Sequence, residues 1–292
     1  MKKSYLLLHL AVLLAGFTGV FGKLITLNEG LLTWYRMLFA AIILFVLTRI
    51  FKVNTKIPFA QRMDIIKVGM LIAIHWVFFY GSIKAANISI GVVCYCLTSF
   101  FTAIFKPMID KTKINPMELL LSGLTIAGIS LIFHFDSSYQ LGIMLGVVSS
   151  ALAALYTVFN ARLVKRYNSL LINYYQMAGG MIGIGLLLPV YLYFFPSDTL
   201  VPTGSDTLYL FLLALFCTAG LYVIFAEVLK RIPTFTVSLT FNLEPVYAIA
   251  MAFLFFKEGQ EVNASFYIGL GLIMMSVVLQ SIFSMRESKL AA

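Results

Sequence analysis

A glutamate and a proline stand side by side, Glu244-Pro245, inside a run of otherwise apolar residues. If that run is a helix, the carboxyl group lies about eleven residues into it, or ~16 Å, close to the middle of a bilayer. An ionisable group is costly at that depth and marks a functional position by default. Pro245 removes a backbone donor, frees a carbonyl one turn earlier and favours a kink. A carboxylate beside a weakened helix can take up a proton, a cation or an ammonium group. The plainer reading is a structural glutamate, neutral or paired, that only packs helices.

Arg36 is the second charge inside an apolar run, ~9 Å from its outer end. It can attract a carboxylate or phosphate, pair with an acidic neighbour, or snorkel outward as an anchor. His75 and Trp76 are adjacent, with Tyr80 one turn on; His75 suits a proton relay or a hydrogen-bonded structural role. Trp76, Tyr80 and Tyr247 lie far enough from the ends of their runs to line an apolar pocket with a few polar tips. The other tyrosines and Trp34 also fit interfacial anchors. The candidates for solute binding or coupling are therefore Glu244, Arg36, Gln176, His75, Trp76, Tyr80 and Tyr247. Asn242 falls nearly opposite Glu244 on a helix and need not share its cavity.

These residues need elements to hold them, and composition identifies the class. Of 292 residues, 61% are hydrophobic and 11% charged, with a mean hydropathy of +0.96. A soluble domain is roughly one quarter charged. The apolar runs have the length of helices that cross a bilayer and are too continuous for barrel strands. Spans are expected near 4–22, 30–50, 65–85, 89–109, 116–134, 139–160, 170–194, 207–229, 233–256 and 263–284. The longest polar stretches lie around 51–64 and 196–206. Met1-Lys2-Lys3 before an apolar run also fits a secretory leader, but the even span count and the charge pattern favour a retained first span.

The net charge of +9 divides by alternate loops, and seventeen of the 21 basic residues fall on one side. Lys23, Lys84 and Lys257 lie on the other, and Arg36 is within a span. This is the positive-inside bias, so both termini are expected in the cytoplasm. The charge reports orientation, not a nucleic-acid partner. Cys94 and Cys96 share a span but point to different faces, which reads as packing, not a metal site. Glu227 pairs by spacing with Lys230 and Arg231, while Glu258 near an outer end suits capping or gating. Gly16, Gly19, Gly22, Gly179, Gly180 and Gly183 give small faces for helix packing. The triplets beginning at Asn87 and Asn263 are short outer-loop sequons with little weight.

Internal repetition follows the same order. Trp34-Tyr35-Arg36-Met37 aligns with Tyr174-Tyr175-Gln176-Met177 at an offset of 140, making Gln176 the uncharged counterpart of Arg36. Gly123 and Ser130 align with Gly269 and Ser276 at an offset of 146. The expected fold is an all-α membrane protein of ten transmembrane helices, two inverted five-helix repeats over residues 1–135 and 136–292. An odd span count per half forces the inversion, which suits alternating access to one central site.

The ninth span into the tenth reads Leu243-Glu244-Pro245-Val246, then Phe253-Leu254-Phe255-Phe256-Lys257-Glu258, then Gly269. With Arg36 early in the second span, this resembles the drug/metabolite transporter superfamily, in the form with two EamA domains. The first half departs from the pattern: Phe100 stands where Pro245 does, and Thr112 or Lys113 where Glu258 does. The resemblance implies carriage of amino acids, sugars, nucleotides, drugs or other metabolites, without choosing among them. The leading expectation is a secondary transporter that moves a small metabolite, amino-acid-like or another small organic solute, by alternating access across a bacterial inner (plasma) membrane. Proton-coupled export is one mode, with the direction and coupling ion left open. An uncoupled facilitator or channel-like protein is the alternative. A membrane-embedded enzyme comes third, because no zinc-protease, nucleophile-elbow or phosphate-loop motif is present. No cofactor is implied, the partners are a small solute and lipid, and a homodimer is left open.

Single cysteines placed in the loops near 51–64, 110–115 and 162–169 are expected to resist membrane-impermeant thiol reagents in intact cells. Ready labelling at two of them would reverse the orientation.

Overall fold

The computed structural model describes residues 2–133, 139–248, 251 and 264–290. His134, Lys257, Glu258, Asn263 and the Phe253–Phe256 stretch lie outside the described residues. Within them the chain is helical: α1 (Lys2–Leu24), α2 (Glu29–Ile50), α3 (Phe59–Ala85), α4 (Ile88–Tyr95), α5 (Leu97–Asp110) and α6 (Pro116–Phe133). It continues with α7 (Gln140–Leu163), α8 (Ser169–Phe194), α9 (Gly204–Ala214), a π turn (Leu215–Gly220) and α10 (Leu221–Leu229). Last come α11 (Thr234–Thr240), a 3-10 turn (Phe241–Leu243), helical residues 244–248, and α12 (Ala264–Leu290). Among the described residues seven segments are long and apolar enough to cross a membrane, and shorter apolar helices occupy Pro116–Leu131 and Tyr267–Leu279.

The helix ends follow local chemistry. Asn28, Asn87 and Asn168 are N-caps whose side chains accept from Leu31, Ile90 and Leu170 N–H. Thr203 and Asp206 form a reciprocal capping box at the start of α9. Asn87, read as a weak sequon, thus has a structural use. Pro58 and Pro233 precede α3 and α11, where a missing N–H costs nothing. The helix α3 starts at Phe59, six residues before the expected boundary, so Arg62, Asp64 and Lys67 belong to its first turns. Polarity places those turns at the membrane edge without preventing helix, and for this reason hydropathy misjudges the end.

The fourth expected span, 89–109, is not one helix: it breaks at Cys96, whose N–H bonds Val93 O at 3.1 Å. The ninth breaks at Phe241–Leu243. The two breaks meet: the Cys96 thiol reaches Asn242 O at 3.8 Å, and Asn242 Nδ2 donates to Ser99 Oγ at 3.2 Å and Thr125 Oγ1 at 3.3 Å. Cys96 and Asn242 are 146 residues apart, the offset that relates Gly123 to Gly269.

Helix pairing follows a reciprocal pattern. The helix α3 packs on α7 and α8, as the α9–α10 segment packs on α1 and α9 on α2; α2 packs on α8, and α6 on α12. Close approach depends on small residues. A Cβ on Gly69 would lie 2.6 Å from Gln176 Cα and carbonyl oxygen, and one on Gly128 would lie 2.5 Å from Gly269 O. Ile182, Leu186, Val190 and Tyr193 make an exposed apolar stripe along α8, the face that lipid covers.

Because backbone cannot yield as a flexible side chain can, Gly69→Ala should force α3 from α8 and cost about 1–3 kcal/mol. Gly271→Ala, where a Cβ meets nothing within 4 Å, should leave the thermal midpoint unchanged. Thermal unfolding of the purified variants checks the contrast.

Candidate functional site

The site is organised around Arg36. Its side chain is buried, so it does not snorkel. Nε donates to Thr218 Oγ1 at 2.8 Å, one terminal nitrogen to the Tyr80 hydroxyl at 2.7 Å, and the other to Cys217 O at 2.9 Å. The guanidinium carbon lies 3.6 Å from the Trp76 ring centroid, a close cation–π contact. The fork and its face are thus both engaged, as a planar guanidinium permits and an ammonium does not.

The π turn makes this clamp possible. In a regular helix Leu221 N–H would bond Cys217 O; here it bonds Phe216 O and Thr218 O, leaving Cys217 O for Arg36. Thr218 Oγ1 in turn donates to Leu213 O, five residues back, at 3.0 Å. On α3, His75, Trp76, Phe79 and Tyr80 fall on one face by their spacing. His75 Nδ1 lies 2.9 Å from Ser149 O and 2.8 Å from Ser149 Oγ on α7. A carbonyl can only accept, so the bond to Ser149 O assigns the proton to Nδ1 and leaves the other ring nitrogen an acceptor.

Glu244 follows the 3-10 turn and is 4% exposed. Among the described residues no hydrogen-bond donor reaches its carboxylate and no cation comes within ion-pair distance. It faces a cavity of about 30 Å³, whose walls include Arg36, His75, Trp76, Tyr95, Tyr222 and Glu244 itself. Such a volume holds on the order of one water molecule. The cavity thus joins a cation held by three hydrogen bonds to a carboxyl group that, among the described residues, takes none.

Two further groups of contacts tie the elements around the cavity. Toward the α1–α2 connection, Asp206 accepts from Thr26 N–H at 2.9 Å and Thr26 Oγ1 at 2.8 Å. Lys84 donates to Leu27 O at 2.6 Å, and the Tyr191 hydroxyl bonds Glu29. An aromatic cluster adjoins the cavity through Tyr222 and Phe241, which line it. Phe225 stacks on Tyr156 with centroids 6.2 Å apart and meets Phe241 edge-on at 5.5 Å.

Of the sequence candidates, Arg36, His75, Trp76 and Glu244 share the cavity, and Tyr80 stands behind Arg36 as its acceptor. Gln176 lies apart: its Nε2 donates to Asn160 Oδ1 at 3.0 Å and its Oε1 accepts from Tyr156 at 3.3 Å. Tyr247 is half-buried against α1, its Cβ 3.0 Å from where a Gly16 Cβ would be. Glu227 does pair with Lys230, at 2.6 Å, and also accepts from Ser169. Thr218, the Cys217 carbonyl and Ser149 were not legible, since a threonine, a backbone oxygen and a serine in apolar helices carry no distinguishing signal.

Arg36→Lys should lose at least two of the three hydrogen bonds and destabilise the protein by about 3 kcal/mol. Thr218→Val, which removes one acceptor, should cost about half as much. Thermal unfolding in detergent reads both, and a tolerated lysine would remove the clamp from the account.

A solved crystal structure matches 97% of this chain and 98% of its own at a TM-score of 0.73 and 15% identity, a likeness of fold alone. An uncharacterized transporter of Clostridium kluyveri (strain ATCC 8527 / DSM 555 / NBRC 12016 / NCIMB 10680 / K1) is 24% identical over 216 residues. That match covers 70% of this chain and 65% of the relative's own length. The EamA-like transporter family matches twice, over residues 2–134 and 140–282. With both stretches together spanning nearly the whole sequence, the chain belongs to the EamA-like transporter family.

Proposed function

We propose that this membrane transporter is a secondary carrier of a small organic solute, amino-acid-like or similar in size, working by alternating access. Glu244 exchanges a proton or takes the cationic part of the solute, while Arg36 sets the potential of the site and stays clamped. The observation that carries this reading is the Glu244 carboxyl group, buried, facing the cavity that Arg36 also lines, and reached by no hydrogen-bond donor among the described residues. A carboxylate kept for structure alone would be expected to have partners, because an unsatisfied buried charge is costly.

The proposed architecture is ten spans in two inverted repeats, residues 1–135 and 136–292, with both termini cytoplasmic. The reciprocal helix pairing and the meeting of the two helix breaks support it. A cavity of one-water size is then a conformation closed around the site, and opening requires either the polar ties or the aromatic cluster to part. No step here calls for catalysis. Export driven by proton entry is the coupling mode we propose, with the Glu244 carboxyl group as the site of proton exchange.

The test uses proteoliposomes loaded with a labelled mixture of amino acids and other small metabolites, with efflux followed at stepped external pH. Saturable efflux that supports counterflow is expected. Glu244→Gln should fold normally, lose about tenfold or more of the rate, and flatten the pH profile. Equal rates and equal profiles would remove Glu244 from the mechanism and leave an uncoupled facilitator lined by aromatics.

A further inference from the structure

A second cavity, about 320 Å³, is bounded by the ends of α5, α7 and α10 and the start of α11, at the opposite end of α10 from Tyr222 of the central cavity. Its walls include apolar Val158 and Leu229, and it is lined by Lys106, Arg162, Lys165, Lys230 and Arg231. Asp110 is the carboxylate among them, 2.6 Å from Arg162 and 4.0 Å from Lys106. Lys230 is held by Glu227 at 2.6 Å. Five cations therefore meet two carboxylates, an excess of three positive charges. Among the described residues the side chains of Lys165 and Arg231 take no hydrogen bond or close ion pair.

Position narrows what such a cavity takes. Three apolar segments, Ile88–Asp110, Gln140–Leu163 and Gly204–Leu229, end beside it, so it sits at the level where a bilayer's headgroups begin. Repulsion among concentrated cations is relieved by an anion with several acceptor oxygens. Guanidinium and ammonium groups suit a phosphate well. The apolar wall suits the uncharged remainder of an amphiphile, and basic pockets between membrane helices bind anionic headgroups elsewhere by this chemistry. The geometry points to a binding site for a phosphate-bearing anion here, supplied in the membrane by an anionic phospholipid headgroup. The site is independent of the proposed carrier mechanism, because it shares no residue with the central cavity.

The experiment uses the full-length protein purified in uncharged detergent. Phosphatidylglycerol, phosphatidylcholine, glycerol phosphate and inorganic phosphate are added separately, with native mass spectrometry and the thermal midpoint as readouts. The variant Lys165→Ala/Arg231→Ala removes two unpaired cations, and Lys52→Ala/Lys56→Ala removes two from the exposed α2–α3 connection as a control. Phosphatidylglycerol should bind and stabilise where phosphatidylcholine does not. The cavity variant should weaken it about tenfold or more, with the control unchanged. If the soluble phosphates give the same variant-sensitive shift and phosphatidylglycerol adds nothing, the anion site stands with a water-borne ligand. The proposal is overturned if no phosphate probe gives a variant-sensitive shift, or if the control variant weakens binding as much as the cavity variant.

Discussion

A guanidinium does not shed its charge at any physiological pH, so a chain that buries Arg36 must build acceptors around it. Much of the central architecture answers that demand. The chain widens into a π turn between α9 and α10 and presents Cys217 O and Thr218 Oγ1 to the fork. The helix α3 turns Trp76 and Tyr80 to the same group. The three elements are thereby fixed around one charge, and the cavity beside them is bordered both by that charge and by the Glu244 carboxyl group.

The helix breaks serve the same centre. A continuous helix satisfies all its backbone groups internally, whereas a broken one must find partners in the protein. At the breaks the Cys96 thiol reaches Asn242 O, the Ser99 hydroxyl donates to Cys96 O at 3.0 Å, and the Asn242 side chain ties the two segments through the Ser99 and Thr125 hydroxyls. The junction of the two broken segments is therefore polar, buried and adjacent to Glu244. In the proposed alternating-access mechanism, motion of one half against the other exchanges these few bonds while the long helices move as rods.

The sequence made parts of this legible for physical reasons. Glu244 and Arg36 stand out because charge in hydrocarbon is rare, and His75 and Trp76 share a helix face with Tyr80 by spacing alone. Span centres were readable from apolar runs. Span ends were less so, as at Phe59, where polar residues continue a helix beyond the membrane core. The break at Cys96 had no proline or glycine to announce it. The π turn likewise has an ordinary sequence, Leu215–Gly220, and the carbonyl it leaves open is bonded by Arg36, a residue far away in sequence. Gln176 was placed with Arg36 by repeat alignment, yet its partners Tyr156 and Asn160 hold it elsewhere. Alignment relates backbone positions, while the pocket on which a side chain borders depends on which neighbours reach it first.

The central claim is that Glu244 is a buried carboxyl group free to exchange a proton. An apolar carbodiimide enters membranes and attaches covalently to protonated carboxyl groups, so peptide mapping after its reaction with the protein in membranes reads that property directly. The account predicts modification at Glu244, faster as the pH falls, and slower reaction at Glu29 and Asp206, whose oxygens are bonded to Tyr191, Thr26 and Thr203. An unmodified Glu244 at every pH, with Glu29 or Asp206 reacting readily, would contradict it.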